Sequence, residues 1–390
     1  MWFAFTLDTG IEELKGHEEP IGASRQEVLE LRGKASWQND HLPYVPFPET
    51  WLIFTPKEKF ADWLESYART LDLNIWTPTT LVGSSYDEAS SQWTVVVERS
   101  DGTRKTLRPK HIILATGITG PANVPTPKGS EIFKGPMIHS SGYKNAHGLG
   151  RKKAADIARD FSQEGADVTV VQRSTTLVCS SAAVLNVYFK GVYDGAGPST
   201  EVADHIVFSL PWAANKGAQT FLTDIERDFD GALHEGLQKA GFKLDFGPEN
   251  SGIMFKLFDE PGSYFVDAGC GQLIVDGKVK IDHFEQDGIV FDDGTKLNAD
   301  AVILATGWLE MSVTAAQLFG KEVAERAGEI SINDEGEFKG IWMPSGQPGL
   351  WHHSGGISFC RFYSKRLALH IKANLLGLTK PWDLGNVSPG

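Results

Sequence analysis

Two stretches of the sequence repeat one design, a β-hairpin followed by a short apolar strand that ends in Ala-Thr-Gly. The first copy turns at Asp101-Gly102 and continues into a predicted buried strand, His111–Ala115. The second copy turns at Asp293-Gly294 and continues into the strand Ala301–Ala305. Helix and strand patterns alternate between the two copies. This alternation predicts an α/β fold with a mainly parallel sheet, in which one domain is interrupted by a second and resumes at the second copy.

Helix signals are clear at four other places in the chain. Thr55 is predicted to cap a helix that has Pro56 at its first position and Glu58 completing a capping box. In another predicted helix, Asp224–Ala240, the residues Ile225, Phe229, Leu233 and Leu237 share one apolar face. The remaining predicted elements are the helices Ala154–Glu164 and Arg361–Leu376 and the strand Val168–Val171.

The two Ala-Thr-Gly groups are candidate ligand contacts. Ligands bind at the carboxyl ends of strands in open α/β sheets, and glycine lets the backbone come close to them. This singles out Ala115, Thr116 and Gly117 in the first copy, and Ala305, Thr306, Gly307 and Trp308 in the second. For either copy alone, an ordinary strand end is the alternative interpretation.

The segment FKGPMIHSSGY carries the pattern F-x-G-x-x-x-H-x-x-x-[YF] in Phe133, Gly135, His139 and Tyr143. A structural histidine is the simpler interpretation of His139 alone, but the spacing of all four residues matches the fingerprint of flavin-containing monooxygenases. GADVTVVQRS, GCGQLIVDGKVKI, ATGW and CRFYSKRLALHIKA extend the similarity. From about Asp40 onward the chain resembles class B flavoprotein monooxygenases of this type, including the plant indole-pyruvate (YUCCA-type) relatives.

The resemblance implies a flavoprotein with two dinucleotide-binding domains, a Rossmann-like FAD domain interrupted by an NADPH domain. The expected divisions are a poorly patterned segment 1–39, a first FAD part 40–140, an NADPH part 141–298 and a second FAD part 299–390. The implied enzyme uses FAD, NADPH and O2 to insert one oxygen atom into a small organic substrate, at nitrogen, sulfur or a carbonyl carbon, by way of a flavin hydroperoxide. The fingerprint residues would have a structural role beside the cofactor, and no catalytic acid, base or nucleophile is assigned.

Two further groups are predicted to contact the cofactors. Gln172, Arg173 and Ser174 follow a strand at the place where an NAD enzyme usually carries an acidic residue, and an arginine there suits the 2′-phosphate of NADPH. Gly355 and Gly356 precede the last helix, whose positive N-terminus would face the carbonyl oxygens of the flavin ring. A surface arginine and a plain turn into the helix are the respective alternatives.

Two segments expected in such a protein are missing, so the fold is expected to be incomplete. GRKKA, residues 150–154, joins almost directly to ADIARDF without an apolar strand and glycine turn, and no G-x-G-x-x-G precedes Asp40. Gly148 and Gly150 follow no strand and are interpreted as loop. Since these loops bind pyrophosphate through backbone amides, losing two such bonds should weaken FAD binding by ~10²–10⁴-fold. A catalytically inactive relative, acting as a non-enzymatic binding protein, is therefore the alternative function.

Composition excludes several other classes of protein. A formal net charge of -13 argues against nucleic acid or an anionic membrane as the main partner, and no apolar run approaches the ~20 residues of a membrane span. Cys179, Cys270 and Cys360 lie far apart, which predicts reduced thiols in a cytoplasmic protein rather than disulfides or a zinc site. Because no C-x-x-C pair exists, NADPH-linked disulfide reduction is disfavoured. The expected partners are a small-molecule substrate and O2.

Overall fold

The structure, a computed structural model, describes residues 4–5, 41–51, 55–126, 130, 133–143, 154–260, 262–282 and 300–378. Some sequence-based predictions lie outside these residues. They are the turn at Asp293-Gly294, the segment 6–40, and residues 144–153 with Gly148 and Gly150. The side chain of Glu58 also lies outside what is described.

The described part of the chain contains both helices and strands. The helices there are α1 Lys57–Thr70, α2 Ala154–Gln163, α3 Ser181–Ala183, α4 Thr200–Phe208, α5 Trp212–Phe229, α6 Gly231–Lys239, α7 Gly252–Asp259, α8 Cys270–Val275, α9 Met311–Phe319, α10 Lys321–Ala327 and α11 Ile357–Leu375. The strands are β1 Ala4–Phe5, β2 Thr79–Asp87, β3 Gln92–Arg99, β4 Arg104–Leu107, β5 Ile112–Leu114, β6 Thr119–Ala122, β7 Met137–His139, β8 Val168–Val171, β9 Thr176–Ser180, β10 Leu244–Asp245, β11 Tyr264–Asp267, β12 Val279–Asp282, β13 Val302–Leu304, β14 Trp308–Glu310, β15 Ser331–Ile332, β16 Phe338–Lys339 and β17 Leu350–His352.

Most sheets join strands that are distant in sequence and run parallel. The sheet with order β1-β5-β17 is parallel throughout, with Leu350 opposite Ile112 and His352 opposite Leu114. The pairs β7–β13 and β8–β12 and the sheet β10-β9-β11 are also parallel, whereas β2-β3-β4, β6–β14 and β15–β16 are antiparallel. Parallel strands joined by helices are the α/β arrangement that the sequence predicted, and this prediction is confirmed.

The apolar strands of the two repeated copies are both present. They are β5 and β13, each one residue shorter at either end than predicted. The first hairpin also turns as predicted, with Gly102 at a φ of 79° that favours glycine. The copies differ in burial, because Ile112 and Leu114 of β5 are fully buried while β13 is half-buried throughout.

The helix predicted over Asp224–Ala240 is wrong in its bounds, and only part of its predicted apolar face is buried. Leu237 is fully buried and Leu233 packs against the same core. The chain forms α5 and α6 there, separated at Asp230, and Ile225 and Phe229 are 40% and 49% exposed. The buried side chains of this region are mostly polar: Asn215, Gln219, Thr223, Glu226, Asp230 and His234. The Asp230 carboxylate accepts hydrogen bonds from the amide and the hydroxyl of Ser180, both 2.6 Å away. Partners on a neighbouring strand therefore turn the polar face inward, which apolar periodicity does not reveal.

Two predicted helix starts also need correction. The sequence predicted Pro56 at the first helical position, but α1 begins at Lys57 with Pro56 in the N-cap position. The capping role of Thr55 stays a prediction. The last helix begins four residues before Arg361, directly after Gly356. There Gly355 turns the chain into the helix with a φ of 113°, a conformation that L side chains rarely adopt.

An aromatic cluster fixes the start of α11 next to the end of β17. The ring of Trp342 stacks on Tyr363 with centroids 3.9 Å apart, and its Nε1 donates to the carbonyl of Ser354, 3.1 Å away. The other buried members come from α4, α5, α7 and β16 as well as α11: Phe208, Trp212, Phe255, Phe338 and Phe359. None of the helices in the described part of the chain is long and apolar enough to cross a membrane.

Candidate functional site at the ends of β5 and β17

Two of the predicted ligand-binding groups meet where β5 and β17 end. Thr116 and Gly117 lie just beyond β5, and Gly355 and Gly356 lie just beyond β17. The amide of His353 donates to the carbonyl of Leu114, 3.0 Å away, which keeps the two strand ends side by side. Carboxyl ends of neighbouring parallel strands are where α/β proteins bind ligands.

Several polar side-chain atoms at these strand ends are buried without a partner. Within the described residues, Thr116 Oγ1, His353 Nδ1 and Ser354 Oγ accept or donate no hydrogen bond, and Ser354 is only 3% exposed. Burial lowers the pKa of His353 to about 4, so its imidazole is neutral at pH 7. Each unpaired buried polar group costs about 1–3 kcal/mol. Three of them at adjoining strand ends indicate a place that receives a polar ligand.

The start of α11 adds hydrogen-bond donors to the same place. A Cβ atom on Gly355 would lie 2.8 Å from Cβ of Phe359, so this turn requires glycine. Gly356 is the N-cap residue, and no side chain caps the helix. The first backbone amides of this 19-residue helix therefore lack a side-chain acceptor and carry the positive end of its dipole.

The second Ala-Thr-Gly group is used differently from the first. The Thr306 hydroxyl donates to the carbonyl of Asn123, 2.5 Å away, and the Asn123 amide donates to the carbonyl of Gly307, 3.0 Å away. Its polar atoms are thus bonded to the protein itself, whereas the Thr116 hydroxyl of the first copy has no partner among the described residues. Similar sequences at the two places consequently do not imply similar ligand contacts.

The fingerprint histidine is a bridge within the protein. His139 Nε2 donates to the carbonyl of Gly307 (3.0 Å), and its Nδ1 accepts from the amide of Ser141 (3.1 Å). The ring also meets Trp308 edge-on, with centroids 5.5 Å apart. His139 therefore links β7 to the chain that follows β13.

The other fingerprint residues make contacts of the same kind. A Cβ atom on Gly135 would lie 2.1 Å from the carbonyl oxygen of Asp300 and 2.8 Å from the ring of Phe133. The hydroxyl of Tyr143, which is fully buried, donates to Asp160 Oδ2 on α2, 2.8 Å away. Burial raises the pKa of this hydroxyl, so Tyr143 is a hydrogen-bond donor and not a proton acceptor. These contacts favour the structural role that the resemblance implied.

His139→Phe should lower the free energy of unfolding by about 1–3 kcal/mol, because it leaves the Gly307 carbonyl and the Ser141 amide without their partner while keeping an aromatic ring beside Trp308. Urea denaturation measures this loss. The matched control is Ser141→Ala, which removes only the hydroxyl that lies 2.9 Å from His139 Nδ1 and should cost less. Equal stability of His139→Phe and the wild type would contradict the bridging role.

The three residues after β8 that were predicted to contact NADPH differ in their surroundings. Gln172 is buried, and its amide group donates to the carbonyl of Lys243 (2.8 Å) and accepts from the Lys243 amide (2.7 Å). Arg173 and Ser174 are exposed at the strand end. Gln172 therefore holds β8 to the chain before β10, and Arg173 remains the candidate for a phosphate contact.

The strand that pairs with β8 is not the one expected in the nucleotide-binding domain that the resemblance implied. In a Rossmann sheet with strand order 3-2-1-4, strand 1 carries the glycine loop and lies between strands 2 and 4. β8 follows the helix α2 and so corresponds to strand 2, yet it pairs directly with β12, Val168 opposite Val279. Among the described residues, no strand lies between them. The missing glycine turn itself concerns residues 144–153 and stays a prediction.

Comparison with known proteins shows which proteins the chain resembles. Residues 36–193 match the family model described as flavin-binding monooxygenase-like, or FMO-like. The chain is similar to this family over these residues. Of the curated relatives, probable indole-3-pyruvate monooxygenase YUCCA10 from Arabidopsis thaliana is 25% identical over 283 residues, covering 68% of the chain and 67% of the relative. YUCCA9 from the same plant, also named a probable indole-3-pyruvate monooxygenase, is 25% identical over 365 residues, covering 89% and 76%.

Solved structures of flavin monooxygenases share the fold. Cyclohexanone monooxygenase with bound ε-caprolactone matches with a TM-score of 0.55 and 12% identity, over 94% of this chain and 81% of that one. OTEMO in complex with FAD and NADP matches with a TM-score of 0.51 and 14% identity, over 83% and 73%. The prediction of a fold related to flavoproteins with two dinucleotide-binding domains is thereby confirmed.

Sequence reasoning missed His353 and Ser354, although a signal for them exists. They stand in HHSGG, directly after an apolar strand and before a helix. Polar residues at the carboxyl end of a buried strand are the pattern that singled out Thr116, and the same rule would have selected these two.

Proposed function

We propose that the protein is a flavin-dependent monooxygenase that inserts one oxygen atom of O2 into a small organic substrate, at nitrogen, sulfur or a carbonyl carbon, with NADPH as the reductant. The similarity of residues 36–193 to flavin-binding monooxygenases supports the reaction class. The names of the curated relatives, indole-3-pyruvate monooxygenases, support a small organic acid or ketone as the substrate class. A cytoplasmic location stays a prediction from the three scattered cysteines.

The observation that carries this proposal is the set of unpartnered buried atoms at the ends of β5 and β17. A flavin ring presents carbonyl oxygens, ring nitrogens and one imide N–H along one edge. The hydroxyls of Thr116 and Ser354, the neutral imidazole of His353 and the first amides of α11 offer matching donors and acceptors. These residues fit the ring end of FAD, and we propose that they hold it.

Bound flavin would supply the activation of O2, and the protein would supply binding, orientation and shelter from water. Ser354, just beyond β17, is 3% exposed, so this polar residue is shielded from solvent. Positive potential at the start of α11 favours negative charge on the nearest oxygens of the ring. We accordingly propose three groups as flavin contacts: Ala115-Thr116-Gly117, Gly355-Gly356 and Ser354.

The described residues fit NADPH only in part. Arg173 is exposed at the end of β8 and suits a 2′-phosphate, and we propose it as that contact. The direct pairing of β8 with β12 leaves no strand for a pyrophosphate loop in the described part of the chain. No step of the reaction is therefore assigned to residues of this domain.

Titration with FAD tests the proposal. We expect the purified 390-residue protein to contain little flavin, because the glycine loops are missing from the sequence, and to turn yellow as FAD is added. NADPH added without O2 should then bleach the visible absorbance of the flavin, and NADH should do so more slowly. A protein that neither changes the FAD spectrum nor gains thermal stability from FAD would support the inactive relative instead.

A further inference from the structure

A thiol and two carboxylates form a cluster inside the protein, between β9 and the junction of α5 and α6. One ligand atom from each of Cys179, Glu226 and Asp230 lies within 4.8 Å of the other two. The three residues are 0%, 2% and 5% exposed. Among the described residues, no lysine or arginine forms an ion pair with any of them. Three groups that can each become negative are therefore packed together away from solvent.

One oxygen atom of this cluster has no hydrogen-bond partner. Glu226 Oε1 is buried, and no group in the described part of the chain donates to it. His234 Nε2 lies 3.5 Å away, but it donates to the carbonyl of Val178, at 2.9 Å. Buried carboxylates in proteins are paired or bind metal ions. An open carboxylate oxygen beside a thiol and a second carboxylate therefore points to a cation as its ligand.

The second carboxylate is already held in position. Asp230 accepts from the amide and the hydroxyl of Ser180, both 2.6 Å away, and each of its oxygens keeps a further lone pair. Ser180 follows Cys179 directly in β9, so one short piece of strand positions both ligands. Hydrogen bonds of this kind orient the carboxylates that bind metals in proteins.

Protons occupy the cluster when no cation is bound. Burial, followed by the carboxylates of Glu226 and Asp230, raises the pKa of the Cys179 thiol. Burial, followed by Asp230, raises the pKa of Glu226 to about 8. A divalent cation would displace both protons into solvent, because the ligands that bind metal are the thiolate and the carboxylate. In chelator-treated protein both protons stay, and this is the form in which Glu226 titrates.

His234 connects the cluster with the surface. It lies beside Glu226 and also lines an open cavity of about 460 Å³. The other charged residues that line this cavity are Asp224, Arg227, Asp228 and Glu235. The guanidinium of Arg227 stacks on the ring of Phe246, 4.3 Å from its centre. The three acidic side chains give the cavity a negative potential that attracts cations towards His234.

We infer that Cys179, Glu226 and Asp230 bind one Zn²⁺ ion, through the thiolate and one oxygen of each carboxylate. A sulfur ligand selects Zn²⁺ over Ca²⁺ and Mg²⁺, which prefer oxygen ligands only. Three protein ligands leave the fourth position of a tetrahedral zinc ion to water. The ion fixes β9 to the junction of α5 and α6. None of these elements belongs to the proposed flavin site at the ends of β5 and β17.

Zinc binding by the full chain tests this inference. After treatment with EDTA and its removal, the purified protein should take up about one Zn²⁺ per chain in equilibrium dialysis. Co²⁺ in place of Zn²⁺ should give the near-ultraviolet absorption of a cobalt–thiolate bond. Zn²⁺ should also raise the temperature of thermal unfolding, since it binds the folded state.

Two results would overturn the inference. One is protein that retains no zinc, and the other is protein that binds Co²⁺ without the thiolate absorption. None of these measurements needs flavin, so their outcome is independent of the proposed function.

Variants locate the ion. Cys179→Ser should abolish the thiolate absorption and weaken Zn²⁺ binding at least about tenfold. Glu226→Gln keeps the shape of the side chain, and it should weaken binding to a similar extent but retain the absorption. The control is Cys270→Ser on α8, a residue that is 4% exposed and lies outside the cluster. Its zinc affinity should equal that of the wild type.

Circular dichroism of the metal-free variants checks that they fold. If Cys179→Ser does not fold, the zinc affinity of Glu226→Gln decides the result. Zinc affinity that stays unchanged in Glu226→Gln and in folded Cys179→Ser would show an adventitious ion only, and would contradict the site.

Discussion

Arg361→Met should lower the free energy of unfolding by about 3–5 kcal/mol, because it leaves the Asp204 carboxylate buried without its cation. The two side chains are 4% and 7% exposed and are joined by two hydrogen bonds. Asp204 also accepts from the hydroxyl of Tyr193, 2.7 Å away. Urea denaturation at fixed pH measures the loss. The same variant should weaken flavin binding, since this pair holds the first turns of α11 against α4.

Two comparisons test whether the loss of stability in Arg361→Met comes from the buried charge pair with Asp204. Lys321→Met removes an exposed pair with Glu325 and should change stability by less than about 1 kcal/mol. The double variant Arg361→Met/Asp204→Asn should recover part of the loss, because the buried charge is gone. A single variant that loses less than 1 kcal/mol would show that the pair is solvated and does not hold α11.

Glu226→Gln should make the protein more stable than the wild type at alkaline pH. Burial, followed by the neighbouring carboxylate of Asp230, raises the pKa of Glu226 from 4.5 to about 8. A raised folded-state pKa means that the stability from protonated Glu226 is fully present below pH 4.5 and is lost as the pH rises towards 8. Since one pKa unit corresponds to about 1.4 kcal/mol, the wild type should fall by roughly 2–4 kcal/mol relative to the variant over this window.

Urea denaturation of both proteins from pH 5 to pH 9 tests whether the wild type loses stability relative to Glu226→Gln as the pH rises. Glutamine keeps the shape of the side chain and can donate to Asp230 as the protonated acid does. The groups that face Glu226 are Cys179 and Asp230, with which it shares a 4.8 Å cluster, and His234 Nε2, 3.5 Å from Glu226 Oε1. The control is Glu235→Gln on the exposed surface of α6, which should leave the profile unchanged. Parallel profiles for the wild type and Glu226→Gln would contradict the prediction.

Local patterns predicted several elements correctly because their signals are short-range. The turn at Gly102, the strand Val168–Val171 and the helix around Ala154 depend on neighbouring residues, and all three are present. The same reasoning failed for α5 and α6. There the carboxylate of Asp230 faces inward because Ser180, 50 residues earlier in the sequence, supplies its hydrogen-bond partners. Apolar periodicity has no access to such partners.

The sequence predicted only part of the candidate site, because the pattern that selected it is local. Ala-Thr-Gly at a strand end is a local pattern, and it selected Thr116 and Thr306 equally. Only the contact between Thr306 and Asn123 separates them, and this contact joins residues 183 positions apart. His353 and Ser354 were overlooked in the sequence, and the pairing of β17 with β5 drew attention to them.

The sequence by itself determined the α/β class and the resemblance to flavin-containing monooxygenases, because local patterns and the spacing within short segments are enough to reveal them. The tertiary structure decided which polar atoms remain open to a ligand. Whether a hydroxyl or a carboxylate is satisfied depends on groups that folding brings within about 3 Å from distant parts of the chain. At the ends of β5 and β17 the buried side-chain atoms of Thr116, His353 and Ser354 lack such groups among the described residues, and this makes the place a candidate site.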